Sequence, residues 1–391
     1  MTSANGNASY AARLSELRAL MKKANLDAYL AASQYNRRYL TGFTPTDDDI
    51  TESSGLVLVT SQSCSLVTAT FFLSSLEHEI IPSGAQVLLT DELSGADHIA
   101  GVLKSEDVKR IGFERDWFSV SRYQRVSKAA DPAVEWVPTD DLVQLVRARK
   151  DELEIAKIRE AADLANRAFA QLITELHLGM SERQIAVRLD SIMLALGASE
   201  PSFKTIVAAG PGGALPHAVP SDREVLVGEP LLIDFGCRLG GYCSDLTRTL
   251  CIGTPDPRLV EIYAGVRAAQ DAAHKSIQQG IRRGSEIDAA AWQVLLDSGH
   301  ISRPMHGLGH GVGLAVHELP AVATWRQADP EMADAITAYE TIGAGAVITI
   351  EPGVYIPGWG GVRLEDMVLV RENDGEILTD RNPEQILSIP A

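Results

Sequence analysis

Cysteine is scarce in this chain: four residues, Cys64, Cys237, Cys243 and Cys251, among 391. That is too few for a disulfide framework, and three of them crowd into one short segment, so they read as reduced apolar fillers. Cys237 or Cys243 as a soft metal ligand is the less favoured alternative. Positive charge is short as well: 35 Lys and Arg against 52 Asp and Glu leave a net charge of −17, which argues against nucleic acid or an anionic membrane as the main partner. No apolar run reaches the roughly 18 residues of a membrane span. Met1-Thr-Ser-Ala-Asn-Gly-Asn-Ala-Ser9 lacks the charged-then-apolar order of a secretory signal, so the expected location is cytoplasmic. Two familiar motifs are missing too. The glycines of 306–313 match neither a dinucleotide fingerprint nor a phosphate loop, and His317-Glu318 is followed by Leu-Pro-Ala rather than the second histidine of a His-Glu-x-x-His helix.

What is present is 45% hydrophobic residues over a length sufficient for two domains. Helical spacing over Ala8 to Lys23 leads into a strand at 27–32. Strand-like runs at 55–60, 65–70, 86–89 and 110–113 then alternate with helical segments near 71–80, 93–104 and 119–130. This predicts an α/β layer domain over 1–146. Its one acidic run, Asp47-Asp48-Asp49, reads as a solvated loop. The charge-dense Arg147-Ala-Arg-Lys-Asp-Glu-Leu-Glu154 marks the boundary and opens a long helix over 151–176. A second helix follows, with Ser181 and Gln184 in capping-box positions. After a hairpin the order recurs: a long helix over about 257–279, a helix from Gly284-Ser285 with Asp288 three residues on, and another hairpin. Two helix-helix-hairpin units within 147–391 predict an internal duplication that brings both hairpins to a shared pseudo-twofold axis.

Each hairpin carries a pair of acids. In the first, a turn at Arg238-Leu-Gly-Gly241 centred between Leu239 and Gly240 sets Asp234 opposite Asp245. In the second, Glu351 and Glu365 are symmetric about Gly358. Like charges facing each other across apolar strands destabilise a sheet, so a cation is expected between them. His310 lies in His306-Gly-Leu-Gly-His-Gly-Val-Gly-Leu-Ala-Val-His317, three histidines within twelve glycine-rich positions. The five residues Asp234, Asp245, His310, Glu351 and Glu365 are therefore candidate metal ligands. Four carboxylates and one imidazole suit hard or borderline divalent ions, manganese first, with cobalt or zinc as alternatives.

Ile233-Asp-Phe-Gly236, Ser244-Asp-Leu-Thr-Arg-Thr249, His306-Gly-Leu-Gly-His-Gly-Val-Gly313, Ile350-Glu-Pro-Gly-Val-Tyr355 and Arg363-Leu-Glu-Asp366 together resemble the pita-bread metallopeptidases, aminopeptidase P and prolidase above all. The resemblance covers about 140–391. The N-terminal part is similar to the smaller creatinase-type domain, marked by Tyr39-Leu-Thr-Gly-Phe43. It departs from that pattern at Thr68-Ala-Thr-Phe-Phe72, where the family often has an Asp-Arg-Tyr-like segment. The implied fold is α+β, a duplicated pita-bread domain preceded by an α/β creatinase-type domain.

The implied activity is hydrolysis of the N-terminal Xaa-Pro bond of peptides or dipeptides by a water activated between two metal ions. Asp245 and Glu365 would bridge the ions, Asp234 would hold one, and His310 and Glu351 the other, with Glu351 also accepting the water's proton. Leu215-Pro-His217 resembles the family's outer histidine motif. His217, His306 and His317 would then line the cleft: His317 at the scissile carbonyl, His217 at the oxyanion, His306 on the proline side. Arg363 would pair with a substrate carboxylate or brace Glu365. The implied partners are a proline-containing peptide and further copies of the chain, as a homodimer or homotetramer. The alternatives are a related pita-bread hydrolase or lyase acting on a small non-peptide substrate, a group whose creatinase-like members lose metal ligands, and a catalytically silent, metal-free binding module; this chain keeps all five ligands, which ranks both lower. A methionine aminopeptidase would lack the N-terminal domain.

Overall fold

The computed structural model describes residues 3–47, 49–72, 83–91, 95–140, 142–324 and 333–391. They form two compact units, Met1–Arg147 and Ala148–Ala391. The expected helix near 71–80 lies, beyond Phe72, outside the described residues.

The first unit contains strands β1 (Ala28–Ala31), β2 (Gly55–Thr60), β3 (Cys64–Ala69), β4 (Gln86–Thr90), β5 (Arg110–Glu114) and β6 (Glu135–Thr139). They make one sheet in the order β4-β3-β2-β1-β5-β6, with an antiparallel centre and parallel flanks. Every residue of β1 is buried, as a central strand between covered faces must be. β6 was not anticipated: Pro138 removes a ladder donor, which an edge strand tolerates. Asp47 corrects the reading of its acidic run as solvated. Arg37, fully buried in the helix Gln34–Thr41, donates to both its carboxylate oxygens at 2.6 and 2.8 Å.

In the second unit the helix pair α1 (Glu152–Ile173) and α2 (Glu182–Ala195) precedes the first hairpin, and the pair α3 (Pro257–Gln278) and α4 (Gly284–Asp297) precedes the second. Asp151 with Glu154 and Ser181 with Gln184 close reciprocal capping boxes at the starts of α1 and α2. Ser285 and Asp288 do not. Asp288 instead accepts from Trp292 Nε1 and from the Leu308 amide, and Glu340 takes the Ser285 amide. Each half has its own apolar core. Ala161, Leu164 and Leu189 pack with Ile233, Phe235, Leu246 and Leu250, while Leu259, Ile262, Ile287 and Leu295 pack with Ile348, Ile350, Val362 and Val368. Burying an aliphatic or aromatic side chain of this size contributes about 1.5–3 kcal/mol, so each hairpin is held to its own helix pair.

The first hairpin runs β7 (Leu231–Phe235), β8 (Cys237–Leu239), β9 (Tyr242–Cys243) and β10 (Leu246–Ile252). Leu239 pairs with Tyr242 around Gly240 and Gly241, whose φ of 57° and 92° make a two-residue hairpin turn. This corrects the expected register: Asp234 pairs with Thr247, not Asp245. The turn sits one residue later than expected, so each partner moves by two, and a shift of two keeps a side chain on its face. Asp234 and Asp245 are thus diagonal neighbours on one face. The second hairpin runs β11 (Val347–Ile350), β12 (Gly353–Ile356), β13 (Gly360–Arg363) and β14 (Asp366–Val370). Ile350 pairs with Asp366 and Gly353 with Arg363, one register on both sides of a break, so Glu351 and Glu365 stand opposite each other.

Candidate metal centre

The ladders are interrupted at Asp245 in the first hairpin and at Glu351 and Glu365 in the second, and the freed backbone groups bind the other hairpin or the histidine segment. The Glu365 amide donates to Thr247 O at 3.2 Å, and the Glu351 amide to Leu308 O at 2.8 Å. The Asp245 amide points at Met367 Sδ, 3.3 Å away. Gly236 makes the first break sterically feasible, since a Cβ there would lie 1.9 Å from Ser244 O. Gly309 does the same for the short strand Gly309–Gly311, where a Cβ would meet Thr349 O at 2.1 Å. That close approach lets Thr349 Oγ1 accept the His310 amide at 3.1 Å.

Four carboxyls and one imidazole converge as a result. His310 Nε2 lies 3.6 Å from Asp245 Oδ2 and 3.4 Å from Glu351 Oε1. Asp245, His310 and Glu365 each offer a ligand atom within 4.8 Å of the others. Glu365 Oε2 accepts from Thr247 Oγ1 at 2.7 Å, and Thr349 Oγ1 lies 3.3 Å from Glu351 Oε1. Asp234 Oδ2 accepts from Arg363 Nη2 at 2.6 Å, while its Oδ1 is buried with no hydrogen-bond partner among the described residues. His310 Nδ1 faces Gly311 O at 3.1 Å; a proton there leaves Nε2 as a lone-pair donor toward the acids.

The electrostatics follow from burial. Asp245 and Glu365 are 4% and 2% exposed. Burial, reinforced by the charges of neighbouring acids, drives both well above the ordinary carboxyl range. Burial also raises Asp234 against the pull of Arg363. Glu351 goes the other way. Burial opposes its ionisation, but the His310 hydrogen bond and the charges of His310, His306 and Arg363 hold it down at about 2. His310 is raised despite its burial, chiefly by the Glu351 hydrogen bond. An unpaired buried carboxylate costs several kcal/mol. Crowded acids with raised pKa values and an orphaned oxygen therefore fit divalent cations, and the oxygen-rich donor set fits hard or borderline ones. Neither Cys237 nor Cys243 contributes, since their thiols point at Ala161 O and Leu314 O.

The ligand residues form part of the lining of a cavity of about 570 Å³, together with His217, His306, His317 and Arg363. The structure thus brings all nine sequence-derived site residues to one place. His317 is solvent-accessible at the cavity wall, with its ring 4.3 Å from that of His310; partial desolvation of the ring and the His310 charge lower its pKa. His217 is exposed at the rim. Both ring nitrogens of His306 are engaged, Nδ1 with Gly307 O at 2.7 Å and Nε2 with Tyr355 Oη at 2.9 Å. Arg363 corrects one expectation. It braces Asp234, not Glu365, and its remaining donors go to Thr247 Oγ1, Tyr355 Oη and Pro216 O. Three supporting residues went unassigned from sequence: Thr247, Thr349 and Tyr355. Strand alternation was the available signal, because Thr247 lies two positions from Asp245, Thr349 two from Glu351, and Tyr355 four from Glu351 on the continuing strand.

A buried cluster of acids and one imidazole, lining a cavity of about 570 Å³ between two helix-hairpin cores, has the donor set of a metal-dependent hydrolase. Comparison with known proteins makes this specific. Residues 156–372 match the model of metallopeptidase family M24, and residues 13–149 match the Creatinase/Prolidase N-terminal domain. An Xaa-Pro dipeptidase from Pyrococcus horikoshii is 34% identical over 94% of this chain and 96% of its own length. Among solved structures, an Xaa-Pro dipeptidase from Bacillus anthracis superposes with a TM-score of 0.84 at 31% identity, covering 97% of this chain and 99% of its own. An X-Pro aminopeptidase from Thermotoga maritima gives 0.80 at 30% identity, covering 96% and 99%. The chain belongs to metallopeptidase family M24, with the α+β pita-bread fold behind a creatinase-type N-terminal domain.

Proposed function

We propose that this metallopeptidase uses a dinuclear centre to hydrolyse the N-terminal Xaa-Pro bond of short peptides that carry a free amino group. The observation that carries the reading is the convergence of Asp234, Asp245, His310, Glu351 and Glu365 on one cavity, with three of the four carboxyls held above their ordinary range. Relatives named Xaa-Pro dipeptidase and X-Pro aminopeptidase support the choice of bond. Asp245 and Glu365 would bridge two ions, Asp234 would complete one, and His310 and Glu351 the other. Manganese is the favoured metal for this donor set, with cobalt or zinc as alternatives. Such ions, when bound, polarise a carbonyl and acidify a water enough for attack near neutral pH.

The chain's own residues supply the rest. Glu351, a buried carboxylate on the cavity wall beside His310, would take the attacking water's proton. His317, on the cavity wall with its ring 4.3 Å from that of His310, would donate an N–H to the scissile carbonyl as charge develops on its oxygen. His217, at the rim of the same cavity, steadies that oxygen. His306, with both nitrogens committed inside the protein, offers ring surface to the proline side. An Xaa-Pro bond has no N–H for a conventional protease site to hold, and a site that grips the carbonyl needs none. The proposed setting is cytoplasmic, and the proposed assembly is a homodimer or homotetramer.

The test is turnover of Xaa-Pro, Xaa-Pro-Yaa and Xaa-Ala-Yaa peptides by chelated protein before and after addition of manganese, cobalt or zinc, with Glu351→Gln as control and metal content measured by elemental analysis. Manganese-dependent cleavage before proline with two equivalents of metal per chain is expected. Failure to cleave either proline series under any metal overturns the reading.

A further inference from the structure

Besides the groups that hold metal or brace its ligands, the cavity is lined by a second cation. Arg363 has its guanidinium taken up by Asp234, Thr247, Tyr355 and the Pro216 carbonyl, so it has no fork left for a substrate. Lys204 lines the same cavity, is exposed, and has neither an ion pair nor a hydrogen bond among the described residues.

Its position is set by the sheet. Ile206 pairs directly with Asp234, and both line the cavity. Thr205 turns the other way, its hydroxyl donating to Asp190 of α2 at 2.5 Å. Alternation therefore returns Lys204 to the side of Ile206 and Asp234. Two residues along an extended segment span about 6.6 Å, and cross-strand neighbours lie about 5 Å apart, which places the Lys204 backbone about 8 Å from Asp234. A fully extended dipeptide is about 7 Å long, and each further residue adds about 3.3 Å or slightly more. A dipeptide with its amino end among the acids thus ends within reach of the flexible Lys204 stem. The carboxylate of a longer peptide lies progressively further off. Phe203, Ile206 and Val219 line the same cavity and offer apolar surface to a pyrrolidine ring.

We propose that Lys204 recognises the C-terminal carboxylate of the substrate, and that the cleft is accordingly tuned to dipeptides in which that carboxylate belongs to the residue after the scissile bond. This rests on the peptidase reading and extends it. The experiment compares metal-loaded full-length protein and its Lys204→Met and Lys204→Arg variants on three substrates: an Xaa-Pro dipeptide, the same dipeptide as its C-terminal amide, and Xaa-Pro-Yaa. One exposed charge pair is worth up to about 1 kcal/mol, or about fivefold in affinity. Wild-type protein is expected to show a KM about fivefold lower for the acid than for the amide. Lys204→Met brings the ratio close to one and Lys204→Arg restores it. A merely structural role for Lys204 would not move an acid-to-amide ratio. An unchanged ratio in Lys204→Met, or no preference for the acid in wild-type protein, overturns the assignment. Turnover of none of the three substrates overturns the peptidase reading and this assignment with it, whereas turnover without acid preference overturns this assignment alone.

Discussion

Replacing Arg363 by methionine removes the guanidinium that Asp234 holds inside the protein. The side chain is 4% exposed and pairs with Asp234 at 2.6 Å. Burial alone would lower its pKa, but the charges of Tyr355, Asp234 and Glu351 keep it well above the ordinary range. Methionine fills much of the same volume and satisfies nothing. Breaking a buried pair by deleting one partner costs about 3–5 kcal/mol, because the other charge stays buried and uncompensated. Asp234 is in that position, with one oxygen already lacking a partner. Divalent ions at the site take over part of the neutralisation, and ligand binding adds stability of its own. The loss is therefore expected to be about 3–5 kcal/mol in chelated protein and clearly smaller with saturating manganese. Denaturant titration followed by tryptophan fluorescence measures both, since Trp292 packs edge-on against His306 with ring centroids 5.5 Å apart. A loss below about 1 kcal/mol in the chelated variant, or an equal loss with and without manganese, refutes the reasoning. The Arg363→Lys variant should fall between wild type and Arg363→Met, keeping the charge but not the fork that reaches Asp234, Thr247 and Tyr355 together.

Metal removal should give an unusual pH trend. The folded pKa values of Asp245 and Glu365 are raised, so their contribution to stability is fully present below the unfolded value near 4 and is lost as pH rises through the folded values. Chelated protein should lose stability as pH rises above the unfolded value near 4, and manganese should oppose that loss; thermal melts of chelated protein that stay flat or rise from pH 4 upward would count against a cluster of buried acids. Glu351→Gln should lower kcat by about 10²–10⁴ while the variant still elutes and melts as a folded protein; a loss below tenfold removes Glu351 as the base. Lys150 and Glu318 form a pair 2.9 Å apart, with side chains 1% and 2% exposed, directly beside His317. Lys150→Met should cost about 3–5 kcal/mol of stability and lower kcat, and Glu318→Gln in the same background should recover much of the stability; thermal melts and kcat of the two variants decide it.

Much of this architecture was legible because it rests on local rules. The Ser181–Gln184 box needs only two side chains three residues apart. The Glu351–Glu365 register needs only a symmetric turn, and Gly358, with φ of 78°, sits at its centre. What was not legible depended on partners distant in sequence. Asp47 looks like part of a solvated acidic run until Arg37, from a buried helix face, closes on it. Ser285 and Asp288 have the spacing of a cap, yet Glu340 and the Leu308 amide claim them first. The orientation of Arg363 depends on a hairpin more than a hundred residues earlier, as the bond to Asp234 shows, and strand alternation alone places it toward the cleft without naming its partner.

The first hairpin shows why a wrong register still led to the right cluster. Arg238 and Leu239 continue the strand, and Gly240-Gly241 alone make the turn, because two successive residues at positive φ are what a tight hairpin requires. Moving the turn centre by one residue moves every pairing by two, and sheet faces repeat with period two. An error of half that size would have sent Asp245 to the opposite face and left Asp234 with no second acid. The ladder break at Gly236 and Ser244–Asp245 supplies the remaining freedom, for it releases the Asp245 backbone from Gly236 and lets the carboxylate swing toward His310 and Glu365. Parity of pairing fixes which side chains share a face, and local interruption of the ladder fixes how closely they meet. Gly236→Ala, which drives a Cβ onto Ser244 O, therefore acts on the second property while leaving the first intact.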